Sequence, residues 1–281
     1  MGPVTASPAR PLQCSTGPFW AFELEHALDL VAEAGFEAIE LMITRDPKTH
    51  DAETVERLTR ERSLQVSSIH GPFLVLTRNV WGLEAGGKIR RGLEMCRALG
   101  AETLVVHPPL LWELDYARWL GKSVRGDDDA VVAVETMYPK WVAGRRLRAY
   151  RWIEPTRLLE SSPTVVMDTS HVALAHVDIL KAFELLLPGL VHIHLSDNAG
   201  DNKDGHLPIG EGILPIERLL AETRRRGYGG TIALELSVAR YAGRPTELVR
   251  MLRRNRELVC ESLERPPGAR ESPPRARERR E

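Results

Sequence analysis

The amino-acid sequence predicts an α/β protein built as a single (β/α)8 barrel, and three observations support this prediction. Short apolar, β-branched segments alternate with segments of helical periodicity, which is the pattern of parallel βα units. Eight strand segments can be counted, and six of them end in or near a side chain that can bind a metal ion. The chain of 281 residues suits one barrel domain, since such barrels commonly run to about 250 residues.

The strand and helix segments follow in a regular order. The first strand, 12–15, is the weakest, and a helix over about 23–34 follows it and ends at Gly35. Gly100 closes a second predicted helix, 88–99. The remaining strands are predicted at 38–42, 66–69, 103–106, 131–134, 164–167, 191–195 and 231–234. A doubly wound open sheet would gather its ligands at one switch point, whereas here they follow many strands, which favours the barrel.

Composition divides the chain into one domain and two terminal segments. Apolar residues make up 43% and charged residues 27%, which is ordinary for a globular protein. Residues 1–11 are predicted to be a disordered arm, 12–263 the TIM barrel, and 264–281 a disordered tail rich in proline and arginine, with a solvated tail favoured over an acidic-partner contact.

Charge and cysteine usage limit the partners and the compartment. The net charge of −1 gives no overall field that would attract nucleic acid or an anionic membrane. Three cysteines are too few and too unevenly spaced for a disulfide framework, and the amino terminus lacks the apolar run of a signal peptide. We therefore expect a cytoplasmic protein without a membrane partner.

Nine metal-capable side chains stand at the predicted strand ends or in the loops that follow. A single histidine at such a position is more often a satisfied polar residue, but this set includes five of the nine histidines of the chain. Imidazole and carboxylate together favour zinc, manganese, iron or cobalt over calcium or magnesium. The nine residues are His70, His107, Glu135, Asp168, His171, His194, Asp204, His206 and Glu235.

The segments around these residues resemble the xylose-isomerase-like TIM barrel superfamily. This superfamily includes sugar isomerases and epimerases, inosose dehydratase, and endonuclease IV, which acts on abasic DNA. The resemblance covers roughly residues 12–263 and is specific for the superfamily but less so for the reaction. The matching segments are SIHGP, VVHPP, VETM, MDTSH, HIHLSDN, DGHLPIGEG and ALELS.

Two ligand patterns follow from the resemblance, and the chain contains both. The sugar-enzyme pattern implies one ion on Glu135, Asp168, His194 and Glu235, with Glu135 and Glu235 as catalytic base and acid and His171 beside the substrate oxygen. The endonuclease pattern implies three zinc ions: one on His70, His107 and Glu135, one on the four residues above, and one on His171, Asp204 and His206. The resemblance thus implies one to three divalent ions, Zn or Mn.

Other features favour the sugar reaction. The first strand, QCSTGPF, lacks the histidine of the endonuclease pattern, and Glu235-Leu236-Ser237 replaces its Glu-Thr-Pro. We expect a sugar or sugar-phosphate isomerase or epimerase acting through an enediolate, with a trinuclear-zinc phosphodiesterase as the alternative. Nucleic acid is then not the expected partner. Glu40 resembles an acidic residue that many isomerase-like members carry, so it is a candidate substrate-binding residue, with a rim ion pair as the alternative.

The segment 137–152 interleaves basic and aromatic residues directly after Glu135. Arginine suits phosphate or carboxylate and aromatic rings suit a sugar face, so the segment is a candidate substrate lid. The alternative is an amphipathic helix with a solvated basic face or a contact in a homodimer. The candidate carbohydrate-binding residues here are Trp141, Arg145, Arg146 and Arg148.

Overall fold

Eight parallel strands close into a barrel, which confirms the predicted fold. The structure is a computed structural model that describes residues 10–74, 77–123, 130–142 and 145–265. The barrel strands are β1 (Gln13–Ser15), β2 (Ala38–Met42), β3 (Gln65–His70), β4 (Thr103–Val106), β5 (Val131–Glu135), β8 (Val165–Asp168), β9 (Leu190–Leu195) and β10 (Thr231–Leu234), while β6 (Lys140–Val142) and β7 (Arg145–Leu147) form a separate hairpin. Gln13 of β1 pairs with Ala233 of β10 and with Ala38 of β2, which closes the barrel.

The alternation of side chains along the strands separates an outer apolar layer from the barrel interior. Val132 and Val134 of β5 point outward and join the main core beneath the helices. Ala133 points inward and belongs to a small separate apolar cluster. The inward positions of β9 are instead polar, since His192 and His194 are both fully buried. The barrel interior therefore carries buried polar side chains, and the outer layer supplies most of the apolar packing.

Helices follow most of the strands and cover the barrel. In the described residues they are α1 (Leu24–Glu33), α2 (Ala52–Arg60), α3 (Ala85–Leu99), α4 (Leu114–Ser123), α5 (Pro155–Ser161), α6 (Thr169–Leu174), α7 (Ile179–Leu186), α8 (Ile216–Arg225) and α9 (Pro245–Glu264). Gly100 ends α3 in the left-handed region with a φ of 71°, as predicted from the sequence. The start of α3 lies earlier than predicted, because the Glu84 carboxylate caps it by accepting from the backbone N–H groups of Gly86 and Gly87.

The terminal segments and the cysteines were also the subject of predictions from the sequence. Residues 1–9 and 266–281 lie outside the described residues, so the arm and the tail stay predictions. Arg10, the first described residue, forms an ion pair with Glu102. Cys14 and Cys96 are buried and free, and Cys260 is half-buried. Among the described helices, none combines the length and the apolar character that crossing a membrane requires.

Candidate metal centre

The carboxyl-terminal end of the barrel brings the predicted ligands together in its interior. His70, Glu135 and Asp168 are the last residues of their strands, His194 lies near the end of β9, and Glu235 directly follows β10. Because the strands are parallel, their ends meet at one rim, where barrel enzymes place their reactive groups. Asp168 and His194 are fully buried and Glu135 is 1% exposed, so these groups contact one another rather than solvent.

The Glu135 carboxylate lies at the middle of this cluster. Its Oε2 atom is 3.1 Å from His107 Nε2 and 3.4 Å from His70 Nε2. Its Oε1 atom is 2.9 Å from His194 Nδ1. The two oxygens thus face different histidines, which is the arrangement expected of a carboxylate that bridges two ion-binding groups.

Four residues form the most complete ligand group. One donor atom from each lies within 4.8 Å of the others, and the four are Glu135, Asp168, His194 and Glu235. His194 Nδ1 is 3.1 Å from Glu235 Oε2 and 3.8 Å from Asp168 Oδ2. Three carboxylates and one imidazole around a single point form a ligand set suited to zinc or manganese.

A third group surrounds the Asp204 carboxylate at the edge of the barrel. His171 Nε2 is 3.3 Å from its Oδ2 atom, and His206 Nε2 is 3.1 Å from its Oδ1 atom. The hydroxyl of Ser170 donates to Oδ1 at 2.9 Å, and that of Tyr138 donates to Oδ2 at 3.0 Å. Neighbouring hydroxyls therefore fix the orientation of this carboxylate toward the two histidines.

Asp168 provides a test of whether an ion fits here. Its Oδ1 atom accepts a hydrogen bond from the backbone N–H of His171 at 2.8 Å, which caps α6 and fixes the side chain. Its Oδ2 atom is buried and has no hydrogen-bond partner among the described residues. A buried carboxylate oxygen without a partner is costly, and a cation beside it would remove that cost. The residues therefore fit a divalent ion.

The electrostatics of the histidines agree with this fit. Burial lowers the pKa of His194, but the carboxylates of Glu40 and Glu235 outweigh it and hold that pKa well above its usual value. Burial also opposes protonation of His206, yet two neighbouring aspartates raise its pKa to about 10. Protonated imidazoles thus balance the carboxylates when no ion is bound, and a bound divalent cation would replace those protons.

The loop that carries Asp204 and His206 is ordered by Asp197. Its carboxylate accepts backbone N–H groups from Gly210 at 3.0 Å and from Gly212 and Leu214 at 2.9 Å. A Cβ atom at position 212 would lie 2.2 Å from Asp197 Oδ1, so only glycine fits this approach. The Asp197 carboxylate therefore orders this loop.

A cavity of about 260 Å³ lies over the ligand cluster. Its floor consists of ligand candidates, namely His70, His107, Glu135, His171, Asp204, His206 and Glu235. Its roof consists of six residues at or beyond the carboxyl ends of the barrel strands, namely Met42, Leu74, Met137, Tyr138, Lys140 and Tyr150. The volume lies just below the range of about 300 to 1,000 Å³ that is typical of small-molecule sites, so the cavity suits a compact substrate.

The segment predicted as a lid is a β-hairpin beside this cavity, not the amphipathic helix weighed as its alternative. Arg145 is exposed on β7. Arg148 donates to Glu154 Oε2 at 2.9 Å and lines a different surface depression. The side chains of Trp141 and Arg146 lie outside the described part of the structure. Among the named lid candidates, then, none with a described side chain lines the cavity.

The same segment contributes three roof residues that are not among the binding residues predicted from the sequence, namely Tyr138, Lys140 and Tyr150. The sequence signal was present, because they belong to the same interleaved basic and aromatic pattern. The pattern could not show which side chains turn inward, since that depends on the hairpin register, in which Lys140 pairs with Leu147.

Glu40 lies below the ligand cluster rather than in the cavity. It is fully buried, and its Oε2 atom is 3.0 Å from His194 Nε2. The residue is not part of the cavity lining. The position differs from both sequence-based expectations, a substrate contact and a rim ion pair, because the side chain points into the barrel from a strand position one layer deeper. His192 also lies in this deeper layer, with its Nε2 atom 3.1 Å from Glu40 Oε2.

Comparison with known proteins extends over most of the chain. An uncharacterized protein of Mycobacterium bovis is 29% identical over 279 residues, which cover 92% of this chain and 96% of that protein. The crystal structure of a D-tagatose 3-epimerase-like protein superposes with a TM-score of 0.65 at 23% identity, covering 90% of this chain and 100% of that one. The structure of an AP endonuclease, family 2, from Brucella melitensis gives a TM-score of 0.63 at 17% identity, covering 84% and 99%.

These structural likenesses, all at low identity, show the shared fold. The sequence itself matches a family whose description is xylose isomerase-like TIM barrel, over residues 28–258. That range includes every strand-end residue of the cluster described above. The chain therefore belongs to the xylose isomerase-like TIM barrel family.

Proposed function

We propose that this protein is a divalent-metal-dependent enzyme that isomerises or epimerises a sugar or sugar phosphate. One observation carries the proposal: Glu135 and Glu235 belong to the same four-residue ligand group and also line the same cavity. A small molecule in the cavity would therefore meet a cation-binding group and two carboxylates together. The likeness to a D-tagatose 3-epimerase-like structure supports the same class of reaction.

The two glutamates are suited to move a proton on the substrate. When bound, a divalent ion would withdraw electron density from neighbouring substrate oxygens and so acidify the adjacent carbon-bound proton. The Glu235 side chain is 13% exposed against 2% for Glu135, so Glu235 reaches further toward the cavity. Burial raises the pKa of Glu235, which brings the carboxylate closer to the range that suits a general base near neutral pH. We assign Glu235 as the base that removes the proton and so forms an enediolate. Glu135 is assigned as the acid, and it must first take up a proton, because the histidines around it hold its pKa well below its usual value.

His171 is placed to contact a substrate oxygen. Its Nδ1 atom donates to the carbonyl oxygen of Thr136 at 2.8 Å, which fixes the ring. Its Nε2 atom then faces Asp204 and the cavity. The same geometry also suits Nε2 as a metal ligand. His171 would therefore contact the substrate if a single ion is bound, and would be a ligand if an ion also occupies the group around Asp204.

The roof supports a carbohydrate as the substrate. Tyr138 and Tyr150 present aromatic rings to the cavity, and such rings pack against the apolar face of a sugar. Lys140 lies beside them and has no ion-pair partner among the described residues. A phosphate or carboxylate on the substrate would give that ammonium group a partner, which favours an anionic sugar over a neutral one.

A zinc phosphodiesterase is the second candidate, and the complete third ligand group of His171, Asp204 and His206 favours it. The likeness to an AP endonuclease structure points the same way. The near-neutral net charge of −1 argues against it, because DNA binding depends strongly on basic residues that contact phosphates. We therefore rank it below the sugar reaction.

The test is activity on a panel of ketoses, aldoses and their phosphates after loading with Zn²⁺ or Mn²⁺, in deuterated water. Deuterium incorporated at the carbon beside the carbonyl would support enolisation. We expect Glu235→Gln to lower the turnover of a confirmed substrate about 100-fold or more, while Glu257→Gln, an exposed position on α9, leaves it unchanged.

Two outcomes would contradict the proposal. One is full activity of Glu235→Gln on that substrate. The other is cleavage of an abasic-site duplex together with no turnover of any sugar, and binding of that duplex should then weaken steeply with salt.

A further inference from the structure

A second buried cluster lies directly below the metal-binding group. Glu40 Oε2 is 3.0 Å from His194 Nε2 and 3.1 Å from His192 Nε2. All three residues are fully buried, and none of them lines the cavity. Among the described residues, the cluster therefore lies away from the cavity and reaches the metal-binding group through His194.

The two nitrogens of His194 face different environments. Nδ1 points to the ligand group, 2.9 Å from Glu135 Oε1 and 3.1 Å from Glu235 Oε2. Nε2 points away from it, toward Glu40. A neutral imidazole carries one N–H and one lone pair, so donation from Nε2 to Glu40 leaves the Nδ1 lone pair directed at the ion-binding position.

Glu40 is itself held from several sides. Ser15 Oγ donates to its Oε1 atom at 3.0 Å, and Ser68 Oγ lies 3.2 Å from its Oε2 atom. His192 approaches Oε2 with its Nε2 atom, while its Nδ1 atom is 2.5 Å from the Thr231 hydroxyl. Despite this approach, His192 Nε2 makes no hydrogen bond to a described residue, so it lies close to Glu40 without being hydrogen-bonded to it. The carboxylate therefore has little freedom to turn away from His194.

We propose that Glu40 is a positioning residue that fixes the tautomer and the orientation of His194 for metal binding, and that the Ser15 hydroxyl helps to hold Glu40 in place. This inference rests on the proposed metal centre but not on the identity of the reaction. A carboxylate that accepts the second N–H of a ligating histidine orients the ring and raises its basicity. Loss of such a contact typically weakens metal binding about 10- to 100-fold.

The same three residues could be read as an ion site of their own, since their donor atoms lie within 4.8 Å of one another. His194 argues against this reading. It would then have to offer both ring nitrogens to metal ions and would lose its N–H altogether. A hydrogen-bonded support needs no such change, and the 3.0 Å contact between His194 Nε2 and Glu40 Oε2 has an ordinary hydrogen-bond length.

The experiment compares Glu40→Gln with wild-type protein in zinc affinity, measured by competition with a chromophoric chelator. Glu37→Gln is the matched control, because Glu37 lies just before β2 and is exposed. We expect Glu40→Gln to bind zinc about 10- to 100-fold more weakly, with Glu37→Gln unchanged. The melting temperature of each metal-free variant shows whether the barrel is folded.

Nitrogen-15 NMR of the histidine rings gives a second readout that needs no Glu40 variant. In zinc-loaded wild-type protein, the ring of His194, assigned by the signals lost in His194→Gln, should carry its proton on Nε2. A proton on Nδ1 would overturn the inference, and so would unchanged zinc affinity in folded Glu40→Gln. Loss of one whole zinc ion in Glu40→Gln, with the others unaffected, would show that Glu40 is a ligand instead.

The outcomes also separate this inference from the proposed function. Zinc bound equally by wild type and Glu40→Gln contradicts only the positioning role. Absence of any metal binding by the wild-type protein contradicts both.

Discussion

The ligand cluster and the cavity roof are built in opposite ways. The cluster takes its residues from strand ends, where Glu135 and Asp168 are buried and share contacts with several histidines. The roof takes Tyr138, Lys140 and Tyr150 from the connection between β5 and α5, where side chains are half-buried or exposed. Strand positions hold side chains rigidly, whereas loop positions can vary without disturbing the barrel. The comparison indicates that the strands hold the ligand cluster in place, whereas the hairpin segment borders the cavity above it.

The difference has an energetic basis. Buried polar atoms in the cluster that do form hydrogen bonds depend on neighbouring side chains for them, so removing one partner leaves another group unsatisfied at a cost of about 1 to 3 kcal/mol. Lys140 in the roof has no ion-pair partner among the described residues, and its loss leaves no buried group without one. Substitutions in the cluster should therefore affect several properties at once, and those in the roof only substrate binding.

Glu135 is the position where the largest effect is expected. Glu135→Gln removes the charge that faces histidines on both of its oxygens, so it should lower the number of bound ions and reduce turnover about 100- to 10,000-fold. Metal content by elemental analysis and steady-state kinetics measure both losses. If the variant keeps its full metal content, Glu135 does not bridge the group of His70 and His107 and the group of Asp168, His194 and Glu235. The ions would then bind independently of this carboxylate.

Metal removal should have the next largest effect, and its size should depend on pH. In the folded, ion-free protein the pKa of His206 is raised to about 10, whereas in the unfolded chain it is near 6.5. Protonation of His206 therefore stabilises the ion-free fold, and this contribution is complete at pH values below about 6.5. That contribution is lost as pH rises through about 10, whereas metal binding requires the neutral ring and strengthens over the same window.

Chelated protein should therefore melt at lower temperature as pH rises from about 7 to about 10. The difference in melting temperature between zinc-loaded and chelated protein should widen over that range. At zinc concentrations 100-fold above the dissociation constant, the stabilisation amounts to about 2.7 kcal/mol. Scanning calorimetry at several pH values measures this, and a difference that narrows with rising pH would contradict the charge balance described for the histidines.

The smallest effect is expected in the roof. Lys140→Gln should raise the Michaelis constant for a phosphorylated sugar about tenfold, because an exposed charge-assisted contact is worth less than a buried one. Turnover number and metal content should stay unchanged. Arg148→Gln is the matched control, since Arg148 pairs with Glu154 outside the cavity. Equal constants for Lys140→Gln and wild type would show that the roof does not bind the anionic group.

The sequence by itself determined the barrel and the composition of the ligand cluster. Three kinds of local signal predict the elements: short apolar β-branched segments, apolar residues at helical spacing, and glycines at helix ends. Strands such as 38–42 and 103–106 were therefore predicted with the bounds that the structure shows. The parallel barrel then places successive strand ends at one rim, which is why residues as distant in sequence as His70 and Glu235 could be assigned to one site.

Only the tertiary structure decided which side chains face the cavity and which lie below it. Glu40 and His194 stand 154 positions apart, and their contact depends on how two non-adjacent strands are turned within the closed barrel. The hairpin register, which directs Lys140 to the cavity while Arg148 pairs with Glu154, leaves no mark in the periodicity of the sequence. Such contacts join residues that lie far apart in the sequence. A local sequence pattern does not specify them, because the two side chains come within reach of each other only when the chain folds.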